Sequence, residues 1–253
     1  MIPENYDQHR YPVYSQDDFK PEPEVSELPR KSRLSYLTFF ILLILWPVLS
    51  IPFAGDPMEL LKQMAVSRIL FVYMPNIVIQ WLIFTLIFVT AYREGTGLKG
   101  IGFNRIRLIH FFWAIAFLLF SNLILSLLAL LLSQVNIAIP GELGIILPET
   151  NTERALWVIL SLTAGVCEET AFRGYLITRI KQFGRLKSWL IPITVSSVFF
   201  GSGHAYQGVG GLILLGIYGV MFAVLYIRAG SIWPCIIAHF FQDFSALFYP
   251  YQR

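Results

Sequence analysis

Seven long apolar runs follow a polar N-terminal stretch, with short polar segments between them. The runs cover about Leu34–Ala54, Ile69–Tyr92, Leu108–Ser133, Ala155–Thr178, Ser188–His204, Gly211–Ile227 and Ser231–Tyr249. A helix that crosses the hydrocarbon core of a bilayer needs about 20 residues, and the runs cluster near that length. The pattern predicts an all-α polytopic membrane protein, with about seven transmembrane helices in a bundle. Asp56–Arg68 predicts a short amphipathic helix at the membrane interface. Residues 1–33 contain Pro3, Pro12, Pro21, Pro23 and Pro29 among acidic and polar residues, and are expected to form a disordered tail. A secretory signal would begin with a basic region followed at once by a short apolar core. Here the first apolar run begins only after Arg30, Lys31 and Arg33, so it is expected to act as an uncleaved anchor.

Composition sharpens this picture. The chain has 253 residues, of which 56% are hydrophobic and 14% charged. Soluble domains carry roughly 25% charged residues. The deficit argues against a coiled coil, a secreted disulfide scaffold or a nucleic-acid binder. Twelve of the 35 charged side chains lie in the first 33 residues, so the remainder of the chain is poorer still. Cys167 and Cys235 both fall in apolar segments and offer neither a disulfide framework nor a zinc-type spacing.

The loop charges predict an orientation. Basic residues gather before the first run (Arg30, Lys31, Arg33), after the second (Arg93, Lys99, Arg105, Arg107) and after the fourth (Arg179, Lys181, Arg185, Lys187). The loop after the third run is acidic, with Glu142, Glu149 and Glu153. Alternation of this kind places the N-terminus in the cytoplasm by the positive-inside rule. The expected location is an integral protein of a bacterial plasma membrane.

Ionisable groups inside a span are costly and mark function by default. Once the loops are set aside, Glu168, Glu169 and Arg173 remain in the fourth run, His204 at the end of the fifth, and His239 and Asp243 in the seventh. His110, beside Arg107, is expected to be a wet interfacial histidine. Glu169 and Arg173 are i,i+4 neighbours on a helix, and Glu168 points about a quarter-turn away. Glu169 is therefore expected to pair with Arg173, leaving Glu168 to face the bundle interior. A desolvated carboxylate there suits general acid/base chemistry. His239 and Asp243 are again i,i+4 and share a face. At about 1.5 Å per residue, Glu168 lies about 16 Å from Arg179, His239 about 16 Å from Arg228, and His204 about 25 Å from Lys187. The third depth matches the others only with a tilt, a bend or a shorter span. Gly201 and Gly203 precede His204 and permit a close approach of another backbone or of substrate. Glycines 208, 210, 211, 216 and 219 gather in and before the sixth run, where close helix packing is the favoured reading over a flexible gate.

Two kinds of hydrolytic chemistry fit these residues. Glu168 with His204 holds and deprotonates a water. Alternatively Glu168, His204 and His239 bind a divalent metal such as zinc with an open position. There is no His-Glu-x-x-His motif and no Gly-x-Ser-x-Gly motif.

The run Cys167-Glu168-Glu169-Thr170-Ala171-Phe172-Arg173-Gly174-Tyr175-Leu176 resembles the Glu-Glu-x-x-x-Arg motif of the CPBP intramembrane protease family. That family includes CAAX prenyl endopeptidases of the Ras-converting type and bacterial, bacteriocin-processing relatives. Phe200-x-x-x-His204 resembles its second motif. Arg228-Ala229-Gly230-Ser231-Ile232-Trp233-Pro234 with His239-x-x-x-Asp243 resembles its third. The resemblance covers about residues 155–247. Together with the polar and apolar pattern it gives three expected parts: a disordered cytoplasmic tail (1–33), N-terminal transmembrane helices with the interfacial helix (34–154) and a CPBP-like catalytic helical core (155–249). It implies a helical-bundle endopeptidase acting on a membrane-associated peptide or protein in the lipid bilayer. It implies that Glu168 activates water with His204, that His239 and residue 243 assist, and that Glu169 and Arg173 support the site. Eukaryotic members have Asn at the position of Asp243. Asn donates a hydrogen bond to an oxyanion and an ionised Asp does not, so Asp243 is expected to be protonated, to orient another group or to ligate a cation. Two other classes compete with the peptidase: a catalytically silent membrane scaffold or peptide-toxin immunity protein, and an ion-coupled transporter, for which no inverted repeat is found.

Overall fold

A computed structural model describes residues 28–50, 67–137 and 146–248, with only the backbone of Leu49 and Ser50. The expected tail up to residue 27, most of the expected interfacial helix Asp56–Arg68, the loop 138–145 and the end of the seventh run lie outside the described residues.

Each apolar run forms a helix, in chain order and with no strand among the described residues. The helices are α1 (Arg33–Val48), α2 (Ile69–Arg93), α3 (Leu108–Gln134), α4 (Asn151–Phe183), α5 (Leu190–Ser202), α6 (Ala205–Ala229) and α7 (Trp233–Ser245). Local signals account for their ends. Ser32 caps α1 and Thr150 caps α4, and each shares a reciprocal bond with the residue three positions on, which satisfies amides that a helix start leaves unpaired. Gly230 ends α6 with φ of 59°, a left-handed conformation that costs glycine little. Pro192 sits in the first turn of α5, where a missing N–H breaks no helical bond.

Among the described residues, four of the seven helices, α2, α3, α4 and α6, are long and apolar enough to cross a membrane. The protein is thus an all-α integral membrane bundle. By contrast, α5 and α7 have 13 residues each, about 20 Å of helix against a hydrocarbon core of about 30 Å. The shortness of α5 resolves the depth mismatch of His204. The helix stops at Ser202, and His204 occupies the turn into α6.

The bundle has a clear centre. α4 is the most buried of the long helices, while α2 and α3 turn most of their apolar surface outwards. Outward residues such as Leu82, Phe112, Leu119 and Leu131 suit contact with lipid tails. α4 packs against α2, α5 and α7, and α6 packs against α3 and α5. One apolar cluster joins α3, α6 and α7 through Phe117, Tyr218, Phe222 and Ile236. The other joins α1, α2 and α4 through Leu42, Ile87, Phe172 and Tyr175. Cys167 and Cys235 are buried and free.

Glycines set the closest crossings. A Cβ on Gly201 would meet the backbone of Gly216 at 3.0 Å, and one on Gly219 would meet Ser197 Cα at 3.1 Å. Gly165 lies equally close to the backbone of α7 at Ile236. At Gly201, Gly216 and Gly219, α5 and α6 therefore pack backbone on backbone, whereas Gly208 faces open space.

The three basic loops meet at one end of the bundle. Arg30 N–H donates to the Glu94 carbonyl, Arg179 to the Gly100 carbonyl, Ile232 N–H to the Gly102 carbonyl and Asn104 to the Gly230 carbonyl. At the other end Arg68 pairs with Glu149 at 2.7 Å, and Tyr73 donates to the Ile146 carbonyl. Arg179 differs from its expected place in a wet loop. It is fully buried, and its Nε lies 2.6 Å from Glu94 Oε2. Its other nitrogens donate to Thr96 Oγ1 and Gln182 Oε1, and Ser35 and Tyr175 hydroxyls donate to Glu94 Oε1, both at 2.7 Å. His110 differs too. It is buried, and its Nδ1 accepts the backbone N–H of Arg107 at 3.2 Å. Its role is to complete the start of α3.

Candidate active site

The six residues singled out in the sequence come from α4, the α5–α6 turn and α7. Glu168 and Glu169 end the regular part of α4, and an unusually wide π-helical stretch, Thr170–Ile177, begins directly after them. Such widenings in a helix are frequent at functional sites. Arg173 lies inside that stretch.

Glu169 and Arg173 pair as their spacing predicts. Arg173 Nη1 lies 3.1 Å from Glu169 Oε1, and both side chains are buried. The guanidinium carbon is 4.2 Å from the Phe200 ring centre and 4.9 Å from that of Phe222, so two aromatic faces complete its surroundings. Glu169 Oε1 also receives His239 Nδ1 at 2.7 Å. One carboxylate oxygen thus joins α4 to α7. His239 Nε2 then lies 3.5 Å from Asp243 Oδ2. The result is a continuous row from Arg173 through Glu169 and His239 to Asp243. Charge-assisted contacts of this kind are strong in a dry interior. Asp243 is the open end of the row, with 34% of its side chain exposed. Its backbone carbonyl accepts Trp157 Nε1–H at 2.9 Å, which ties α7 to the first turns of α4.

Glu168 stands outside this row. It is buried and within electrostatic reach of Glu169, Arg173, His239 and Asp243. Its hydrogen bond comes from α2: Gln80 Nε2 donates to Glu168 Oε1 at 3.0 Å. Gln80 is neutral, so the distribution of charged residues along the chain does not point to it. The signal was nevertheless present, since Gln80 is the one glutamine in the second apolar run.

His204 hangs from the turn after α5. Its Nδ1 lies 2.9 Å from the Phe200 carbonyl. A carbonyl only accepts, so Nδ1 carries the hydrogen, and Nε2 of the neutral ring is an acceptor. The ring packs 5.0 Å from Phe200 and 6.0 Å from Tyr206. Electrostatically, His204 is within reach of His239 and Arg173. Gly203, next to it, is covered by the Trp46 indole of α1: a Cβ there would clash with Trp46 Nε1. Helix α1 therefore also borders the site.

The residues do not form a metal-binding group as they stand. Among the described residues, no group of three or more His, Cys, Asp and Glu side chains is placed to hold a metal ion. His239 has carboxylate oxygens at both ring nitrogens, and His204 Nδ1 is on a carbonyl. Glu168, His204 and His239 thus do not fit a zinc centre in this arrangement. What the arrangement does supply is a buried carboxylate, an imidazole acceptor and a separate charged row that fixes a second imidazole.

Comparison with curated proteins and with solved structures gives no match. A family model described as Type II CAAX prenyl endopeptidase Rce1-like matches residues 150–245. The match begins at the cap of α4, ends at the last residue of α7, and contains all six residues of the row, the carboxylate and the turn. Gln80 and Trp46 lie outside it. Residues 150–245 are thus similar to the Rce1-like, type II CAAX prenyl endopeptidase family, which supports the resemblance of the three motifs to the CPBP/CAAX protease group.

Proposed function

We propose that the protein is an intramembrane endopeptidase that hydrolyses peptide bonds of membrane-associated proteins or peptides, with a water activated by Glu168. The observation that carries this reading is the buried Glu168 carboxylate, set apart from the Arg173–Glu169 pair and adjacent to the charged row. In this reading Glu168 and His204 Nε2 accept the two hydrogens of one water. The water oxygen attacks the carbonyl carbon of the scissile bond as Glu168 takes its proton, and the carbonyl electron pair moves onto oxygen. We assign His239 the stabilisation of that oxyanion: Nε2–H exchanges its 3.5 Å contact with Asp243 for the oxyanion, while Glu169 holds Nδ1 and Arg173 holds Glu169. Protonated Glu168 then gives its proton to the amide nitrogen, the carbon–nitrogen bond breaks, and an acid and an amine result.

The N-terminus is assigned to the cytoplasm, on the ground that the basic loops share one end, and the membrane to a bacterial plasma membrane. The test is cleavage by the purified full chain in lipid nanodiscs, against a quenched-fluorescence peptide library that includes farnesylated C-terminal tetrapeptides. Glu168→Gln is expected to lower kcat by about a thousandfold while the protein still unfolds cooperatively. Cleavage by that variant at the wild-type rate would show that the base is assigned wrongly.

A further inference from the structure

Gln80 is an unusual residue to find where it is. It lies on α2, outside the segment that matches the family, and is 4% exposed. A buried amide is costly unless bonded. Its Nε2 spends one donor on Glu168 Oε1 at 3.0 Å. Its Oε1 is buried and has no hydrogen-bond partner among the described residues. A leucine or methionine would fill the same space between α2 and α4 without that cost, so packing alone does not account for a glutamine.

The neighbouring contacts fix the amide in place. Trp81 Nε1–H donates to Thr163 Oγ1 at 3.1 Å, on the face of α4 that α2 covers, so the register of the two helices is set beside the contact. Among the described residues, Gln80 is the partner that hydrogen-bonds Glu168. Its donation occupies Oε1 and leaves Oε2 as the oxygen that meets a water. A carboxylate left to rotate would present either oxygen, and misplacement of a reacting group by about 1 Å can cost about a hundredfold in rate.

We infer that Gln80 is a positioning residue for Glu168: the N-terminal helices complete a site whose reacting groups all lie in the matched segment. The inference rests on the reading of Glu168 as the base. It predicts that the segment 150–245 is insufficient for full activity, because the group that orients the base comes from α2.

The test compares wild type, Gln80→Met, Glu168→Gln and the double variant, each as full chain in nanodiscs with the same peptide library. Gln80→Met is expected to lower kcat by about tenfold to a hundredfold, with KM within about twofold. The double variant is expected to be no slower than Glu168→Gln, because residues acting as a unit are not additive. A second measurement needs no substrate: the infrared difference between wild type and Glu168→Gln isolates the Glu168 carboxyl band, and Gln80→Met is expected to move that band. If Gln80→Met does not fold, Gln80→Asn, which withdraws the amide by one methylene, replaces it with the same expected direction. Wild-type kcat in the Gln80 variant, or an unmoved band, overturns the inference. Wild-type kcat in Glu168→Gln instead overturns the assignment of the base, and the band still decides the contact with Gln80.

Discussion

Arg179 and Glu94 form a buried ion pair that joins the ends of α4 and α2, with 2.6 Å between Nε and Oε2 and neither side chain exposed. Every polar arm of the pair has a partner: Ser35 and Tyr175 on Glu94, and Thr96, Gly100 and Gln182 on Arg179. Removing one member leaves an uncompensated charge, which costs about 3–5 kcal/mol. Arg179→Met is therefore expected to unfold at markedly lower denaturant than wild type in detergent. The double variant Glu94→Gln with Arg179→Met is expected to recover part of the loss, since no bare charge remains. Equal stability of the single and double variants would mean that the pair is not the source of the effect.

Gly203 sits under the Trp46 indole, so close that a Cβ would clash with Nε1 and fall 2.6 Å from Cδ1. Gly203→Ala must displace either the indole or the turn that carries His204. Overpacking of this kind costs roughly 1–3 kcal/mol, and the shift of His204 is expected to lower kcat. Trp46→Leu in the same background frees the space and is expected to restore cleavage in part. If the double variant is as impaired as Gly203→Ala, the indole is not what the alanine displaces.

The sequence makes the elements legible because a membrane span must be long, apolar and helical at once. The same applies to Glu169–Arg173 and His239–Asp243, whose i,i+4 spacing is a property of one helix. Contacts between helices are another matter. Nothing local in the chain says that Glu94 and Arg179, 85 positions apart, bury each other, and basic residues that mark a membrane face look the same as one that is paired. Likewise the bond from His239 to Glu169 joins α7 to α4 and depends on how far α7 is slid along its neighbour. Gln80 carries no charge, so nothing in the charge pattern sets it apart from its apolar neighbours. The depth of His204 depends on where α5 ends, and of the tilt, bend or shorter span that would match it, the structure has the shorter span, Leu190–Ser202.

Metal dependence gives a further test. Both nitrogens of His239 face carboxylates, and His204 offers Nε2 alone. With Glu168 acting directly on water, cleavage is expected to persist after dialysis against a strong chelator, and elemental analysis of the active protein is expected to give less than one equivalent of zinc. Loss of cleavage on chelation, with recovery on adding zinc at one equivalent, would replace the glutamate mechanism by a metal one and require the His239 row to rearrange.

Arg173 tests whether the charged row works through geometry as well as charge. Its guanidinium lies against both Phe200 and Phe222 while Nη1 reaches Glu169. Lysine keeps the charge but has no planar face to stack and no fork of donors. In Arg173→Lys the ammonium must choose between the aromatic rings and the carboxylate, so Glu169 loses the restraint that aims it at His239. The expected outcome is a fall in kcat of about tenfold to a hundredfold, with a stability loss of roughly 1–3 kcal/mol. Arg173→Met removes the charge as well, leaves Glu169 buried with only His239 as a partner, and is expected to cost more, about 3–5 kcal/mol. Measured side by side, the two variants separate the contributions. If lysine restores wild-type kcat and stability, charge alone suffices, and the stacking between Phe200 and Phe222 has no part in holding the site.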